Sequence, residues 1–293
     1  MKRVRHMNPL HTIRALRAQS LLGFLALIFL CSWSQAENKV LFLGNSYTFG
    51  SGGTESVPNI FDALANATGQ EDPTTVMRAV GGKDYKFHYQ NSLDYVQQAP
   101  WTHVILQNYS TLPTHIKNTQ EHFDYGSRLY EAIIANNPDT QVMLYMTWAR
   151  AYVHPLVSGT SSPKSFGSTD EMLEELSTNY TALAEQLTAE NPDNLPVIVN
   201  PVGIAWNLAG GNLPPSDPGF VDLFGKDNHH GNDAGYYLAA CVHFASVYQS
   251  SPVGLFGSPE VQSLNLKIAP EVAKKLEEVA WEAVQIPTIP QDS

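Results

Sequence analysis

Five short, nearly unbroken apolar runs, alternating with longer stretches of helical spacing, constrain this chain more than any other feature. The runs fall at residues 39–43, 75–78, 103–106, 141–145 and 196–199. Runs of that length without polar alternation predict strands buried on both faces. Between them, Ile60 and Leu64 share a helix face ahead of Gly69, as do Leu129, Ile133 and Ile134 ahead of Pro138. Ser168 is placed to cap a helix over 169–189 that carries Met172, Leu176, Leu183 and Leu187. Residues 232–248 are apolar almost all round and predict a buried helix. Pro270 opens a last helix with a stripe of Val272, Leu276 and Val279. The alternation predicts an α/β fold with a five-stranded parallel sheet covered on both faces.

With 293 residues, 43% of them hydrophobic, the chain can bury one large core, which excludes disorder for most of its length. Neither an internal repeat nor a second-domain boundary is visible. The formal charge is −11, and it is unevenly spread. Residues 1–36 hold Lys2, Arg3, Arg5, Arg14 and Arg17 and no acid, so the remainder carries −16. So acidic a body repels nucleic acid and anionic membranes, and no nucleic-acid partner is expected.

The basic start leads into the apolar run Leu21 to Leu30, and Ser34-Gln35-Ala36 sets small residues before a cleavage point. This is the pattern of a secretory signal over 1–36, followed by a single domain over 37–293, secreted or periplasmic. A membrane anchor is the competing reading; the run is shorter than the ~20 residues a span needs, and no span is expected in the mature chain. Cys31 leaves with the signal, so Cys241 has no disulfide partner and reads as a small core residue.

Ligands meet open parallel sheets at the carboxyl ends of the strands. Ser46 lies there, just past the first run, in Gly44-Asn45-Ser46-Tyr47-Thr48. A serine hydroxyl needs a base to become a nucleophile. Asp227 and His230, three apart in a loop entering a helix, offer an imidazole together with a carboxylate to fix its tautomer. Two other readings stand beside this one: a loop of polar capping residues, and a metal site of Asp227, His229 and His230. Acyl transfer also needs donors for the developing oxyanion. The Gly82 N–H after the second run is one, on the ground that glycine permits close backbone approach. The side-chain amide of either Gln107 or Asn108, after the third run, is another.

These residues resemble the SGNH hydrolases, the GDSL-type esterases and lipases. Leu41 to Thr48 is similar to that family's first block, with Asn45 where Asp is usual. Gly81-Gly82 fits its second block, and Asp227 to Tyr236 its last, with Gly231 where Pro is usual. In place of the third block's G-x-N-D the chain has Gln107-Asn108-Tyr109-Ser110. The resemblance spans about residues 38–285. It implies a flavodoxin-like three-layer α/β/α sandwich and ester hydrolysis without metal or other cofactor. Ser46 would be the nucleophile, His230 the base and Asp227 its orienter. The N–H groups of Ser46 and Gly82 would form part of the oxyanion hole, completed by Asn108 or Gln107.

For substrate, the expectation is a short acyl ester, acetyl on carbohydrate first, with Tyr47, Tyr109, Trp148 and Trp206 near strand ends either to stack on sugar rings or to pack in the core or rim. The alternatives are a lipase or thioesterase of the same family, or a catalytically silent carbohydrate-binding relative. Residues 157–169, rich in Ser, Gly and Thr, read as a loop, either a surface insertion or a lid.

Overall fold

Strand β1 (Lys39–Gly44) shows why the apolar runs are unbroken. Val40 and Phe42 enter one core, and Leu41 and Leu43 enter another on the opposite side of the sheet. The computed structural model describes residues 38–69, 73–159 and 165–286, all within the unit Ala36–Ser293. The expected signal over 1–36 therefore lies outside the described residues, as does part of the 157–169 loop. In chain order the elements are β1, α1 (Ser46–Phe49), α2 (Val57–Ala67), β2 (Thr74–Ala79), α3 (Tyr85–Asn91), α4 (Leu93–Val96), β3 (His103–Leu106), α5 (Thr119–Asn136), β4 (Gln141–Tyr145), α6 (Pro155–Ser158), α7 (Thr169–Glu190), β5 (Ile198–Asn200), α8 (Val202–Leu208), α9 (Asp233–Tyr248), α10 (Pro259–Gln262) and α11 (Pro270–Gln285).

The five strands are all parallel, in the order β2-β1-β3-β4-β5. Helices α2, α8, α9 and α11 cover one face, and α3, α5 and α7 the other, giving a three-layer α/β/α sandwich. Helix α9 is apolar all round because it packs against α2, α8 and α11 as well as the sheet. Cys241 sits on it, fully buried and free. Ser168 caps α7, its Oγ accepting from Glu171 N at 3.0 Å.

Two strands differ from expectation. β2 is an edge strand, exposed or half-buried along its length, rather than buried on both faces. β5 begins at Ile198 rather than Pro196: Pro196 has no N–H to give to a ladder, and Val197 N donates instead to Thr188 Oγ1 at 3.0 Å. Among the described residues no helix is long and apolar enough to cross a membrane.

The direction of winding reverses at β1: β2 lies on one side of it and β3 on the other. Such a switch point opens a crevice at the carboxyl ends of the two central strands. Ser46 follows the first of these strands and Gln107 the second.

Candidate active site

The turn after β1 is held from three sides. A Cβ on Gly44 would collide with Thr48 Oγ1 and stand 2.7 Å from Gln107 Oε1, so only glycine lets the third loop approach. Gln107 Oε1 accepts from Asn45 N at 2.7 Å and from Thr48 Oγ1 at 3.1 Å. Asn45 caps α1, its Oδ1 accepting from Tyr47 N at 3.1 Å, and its Nδ2 donates to Lys83 O at 2.8 Å and Asn108 O at 3.4 Å. One buried amide thus ties together the loops after β1, β2 and β3, and Ser46 is presented half-buried at the rim. Tyr236 of α9 adds a bond from its hydroxyl to Ser46 O at 2.9 Å.

The segment ahead of α9 folds back on itself. Phe224 and Gly231 form an isolated antiparallel bridge, and Gly225 N donates to His230 O at 2.8 Å. Between them Asn228 turns the chain at a φ of +61°, and its carbonyl accepts from Ala151 N at 3.1 Å. Asp227 Oδ1 accepts from the backbone N–H groups of His229 and His230 at 3.1 and 3.0 Å, and Oδ2 lies 2.7 Å from His230 Nδ1. His230 Nε2 lies 2.7 Å from Ser46 Oγ.

The chemistry of this chain follows from its partners. An ionised carboxylate can only accept, so Nδ1 carries the proton and Nε2 of the neutral imidazole accepts from the Ser46 hydroxyl. Partial burial works to raise the Asp227 pKa, but the hydrogen bonds from the His230 ring and from the N–H groups of His230 and His229 outweigh it. They hold the carboxyl well below the usual carboxylate range. The group is therefore charged throughout the neutral range.

Ser46 and His230 open into a cavity of about 170 Å³, which Gly82, Tyr109, Ser110 and Arg150 also line. A hollow of about 650 Å³ beside Tyr89, Arg128 and Gln186 contains none of these groups. Gly82 takes a φ of +68°, and a Cβ there would meet nothing within 4 Å. Its glycine suits the left-handed backbone of this turn.

The structure does not bring the amides of Gln107 and Asn108 into this cavity. Both side chains are fully buried. Gln107 Nε2 donates to Asn108 O. Asn108 Oδ1 accepts from Tyr85 N and Tyr109 N, and its Nδ2 lies 2.9 Å from His122 Nδ1. These amides brace the loop from inside, and it reaches the cavity through the next residues, Tyr109 and Ser110. Trp148 and Trp206 take the packing alternative: both are completely buried and stacked on each other, with centroids 4.1 Å apart, so neither can meet a sugar. Tyr47 is buried too, while Tyr109 remains half-exposed.

Arg150 was not singled out by sequence reasoning. The signal that could have found it is position: it lies just past the end of β4, where ligand-facing residues gather.

Asp227, His229 and His230 also offer one ligand atom each within 4.8 Å of one another, the donor set of the metal reading. The ring nitrogens of His230 are both engaged, by Asp227 and by Ser46. His229 Nδ1 stands 3.4 Å from Asp227 Oδ1. Burial first, and then the positive charge of Arg150, lowers the His229 pKa, so this imidazole is neutral and chemically fit as a ligand.

The 2-1-3-4-5 parallel sheet covered on both faces by helices is the fold that the SGNH hydrolases share. Solved structures that share it include a DUF4886 family protein from Bacteroides uniformis, 19% identical over 86% of this chain and 96% of that one, at a TM-score of 0.59. The psychrotrophic esterase EstA from a Pseudoalteromonas species is 12% identical over 73% and 98%, at 0.51. A carbohydrate esterase family 3 protein from Talaromyces cellulolyticus is 16% identical over 72% and 97%, at 0.50. No protein-family model and no curated protein sequence matches the chain.

Proposed function

We propose that this protein is an exported serine esterase that hydrolyses short-chain acyl esters, O-acetyl groups on carbohydrate first. The observation that carries the reading is the continuous hydrogen-bonded line from Ser46 Oγ through both nitrogens of His230 to Asp227, each step 2.7 Å. As Ser46 Oγ attacks the ester carbonyl carbon, its proton passes to His230 Nε2, and Asp227 stabilises the imidazolium. The tetrahedral oxyanion faces the N–H groups of Ser46 and Gly82. Collapse breaks the bond to the alcohol oxygen, which leaves with the proton from Nε2. Water, deprotonated by the same nitrogen, then attacks the acyl-enzyme, and the acid departs as Ser46 regains its proton.

A cavity of about 170 Å³ favours an acetyl-sized acyl group over a long hydrocarbon chain. Two of the proteins that share the fold are named as esterases, one of them a carbohydrate esterase, in keeping with this reading. Export rests on the pattern of the first 36 residues.

The test is Ser46→Ala. Hydrolysis of 4-nitrophenyl acetate should fall by about a thousandfold or more, with the melting temperature unchanged, and an organophosphonate should label the wild-type protein at Ser46. Normal turnover by the purified variant overturns the assignment. The compact Asp227, His229 and His230 donor set favours one rival, a metal-assisted hydrolase. Loss of activity on chelation, restored by a divalent ion, would select it instead.

A further inference from the structure

Arg150 stands in the same cavity as Ser46, and none of the steps above uses it. Its side chain is 5% exposed. It also lines a wider groove of about 490 Å³, which shares Tyr109, Arg150 and His229 with the Ser46 cavity and runs on past Lys117 and His154. A guanidinium keeps its charge at any ordinary pH, and withdrawing an unpaired cation from water is costly, so buried arginines are normally matched with acids. Among the described residues no carboxylate lies within ion-pair distance of Arg150. Its side-chain partners are neutral: Nη1 donates to Tyr47 Oη, and Nη2 to Ser110 Oγ at 3.0 Å. Those two bonds do not exhaust its donors.

The surroundings repeat the pattern. The chain carries a charge of −11, yet among the described residues no Asp or Glu lines the groove. Lys117 also lines it, exposed, with Nζ 5.9 Å from the centre of the Tyr109 ring. Asp227, in the neighbouring loop, is committed to His230 and to the N–H of His229. His154 and His229 are held neutral by desolvation and then by the Arg150 charge, His154 down to about 4, so they contribute hydrogen-bonding edges without adding charge.

We infer that Arg150 receives an anionic oxygen group, a carboxylate or a sulfate, on the alcohol part of the substrate, so that the ester hydrolysed is an acylated acidic glycan. This rests on the esterase reading above: the narrow cavity takes the acyl group, and the wider groove takes the alcohol. A guanidinium fork pairs with either oxyanion through parallel N–H bonds, and Lys117 adds a flexible second charge at the rim.

The experiment compares kcat/KM for 4-acetoxybenzoate and 4-acetoxybenzenesulfonate with that for methyl 4-acetoxybenzoate, followed by phenol release. The wild type should favour at least one anion over the neutral ester by about tenfold or more, although the methyl ester has a better leaving group than the benzoate, and which anion wins separates carboxylate from sulfate. The ratio should fall to one or below in Arg150→Met. Lys117→Gln, at an exposed position, should lower it by about two- to threefold, and salt should lower it in the wild type. A wild-type ratio of one or less for both anions, or an unchanged ratio in folded Arg150→Met, overturns the inference. Should Arg150→Met fail to fold, the wild-type ratio and Lys117→Gln decide. Calorimetric titration of Ser46→Ala with glucuronate, glucose 6-sulfate and glucose gives an answer independent of turnover. If the wild type cleaves none of the esters, the esterase reading falls, and binding of an anionic sugar but not of glucose still upholds the Arg150 subsite. Equal binding of all three, or none, removes it.

Discussion

The indole Nε1 of Trp148 donates to the carbonyl oxygen of His229 at 2.9 Å, tying the segment after β4 to the loop that carries Asp227 and His230. The same indole stacks on Tyr47, the residue after Ser46, with centroids 4.4 Å apart. His230 and Ser46 are therefore referenced to one rigid ring, which itself rests on Trp206. The distance between Ser46 and His230 depends on this packing as much as on their own hydrogen bond.

Trp148→Phe keeps an aromatic ring and removes the donor. The stranded His229 carbonyl should cost about 1–3 kcal/mol of stability. A small displacement of His230 should lower kcat by about tenfold with a smaller change in KM. Melting curves and steady-state kinetics check both. An unchanged kcat would mean that the Phe224–Gly231 bridge and the bond from Ala151 N to Asn228 O hold the loop without the indole.

Asp227→Asn should leave the fold intact and lower kcat by about 10³–10⁴-fold. The amide can donate to His230 Nδ1, which moves the ring proton to Nε2, where it faces the Ser46 hydroxyl and cannot remove its hydrogen. Because the Asp227 carboxyl is held well below the usual range, the acid limb of the wild-type rate profile should show no carboxylate titration. A rate profile with a break near pH 4 would contradict this.

Asn45→Asp introduces the acid usual in the SGNH first block but should harm this protein. Asn45 is 2% exposed, and its Nδ2 donates to two backbone carbonyls. A carboxylate there would face those oxygens as a buried anion without a cation. The expected cost is about 3 kcal/mol, read as a lowered denaturation midpoint, with reduced kcat as the three loops separate.

Acid should unfold the protein early. His88, His122 and His243 are fully buried, and desolvation lowers their pKa values to about 4, about 3 and about 3. An unfolded chain protonates these rings near 6.5, so between that value and the folded ones the unfolded state binds more protons. Stability is complete above about pH 6.5 and is lost as the pH falls. At pH 5 each contributes a loss of about 2 kcal/mol, a large share of a typical total of about 5–15 kcal/mol. Denaturant melts at pH 7, 6 and 5 test the slope; a midpoint constant across that range would refute it.

The buried strands could be read from sequence because burial on both faces writes itself as uninterrupted apolar residues. β2 misled because edge and centre differ in what covers them, not in local pattern: Met77 is 39% exposed on a strand whose neighbour β1 is almost wholly buried. Ser46, Asp227 and His230 could be named because their spacing and their place at strand ends are local facts. Gln107 and Asn108 could not be placed, since a residue type gives a donor but not its direction, and here Tyr85, Tyr109 and His122 claim the Asn108 amide. Arg150 was invisible for a related reason. A lone arginine beyond a strand looks like a solvated charge until the fold sets it against Tyr47 and Ser110.

Ser46 and His230 are separated by 184 positions along the chain. A polypeptide made or translocated from its amino end delivers the serine early and the imidazole only in its last quarter. On the esterase reading proposed above, hydrolytic competence cannot precede near-complete emergence, and a truncated or stalled product carries an inert alcohol. Esters around the nascent chain are then safe from it until α9 docks.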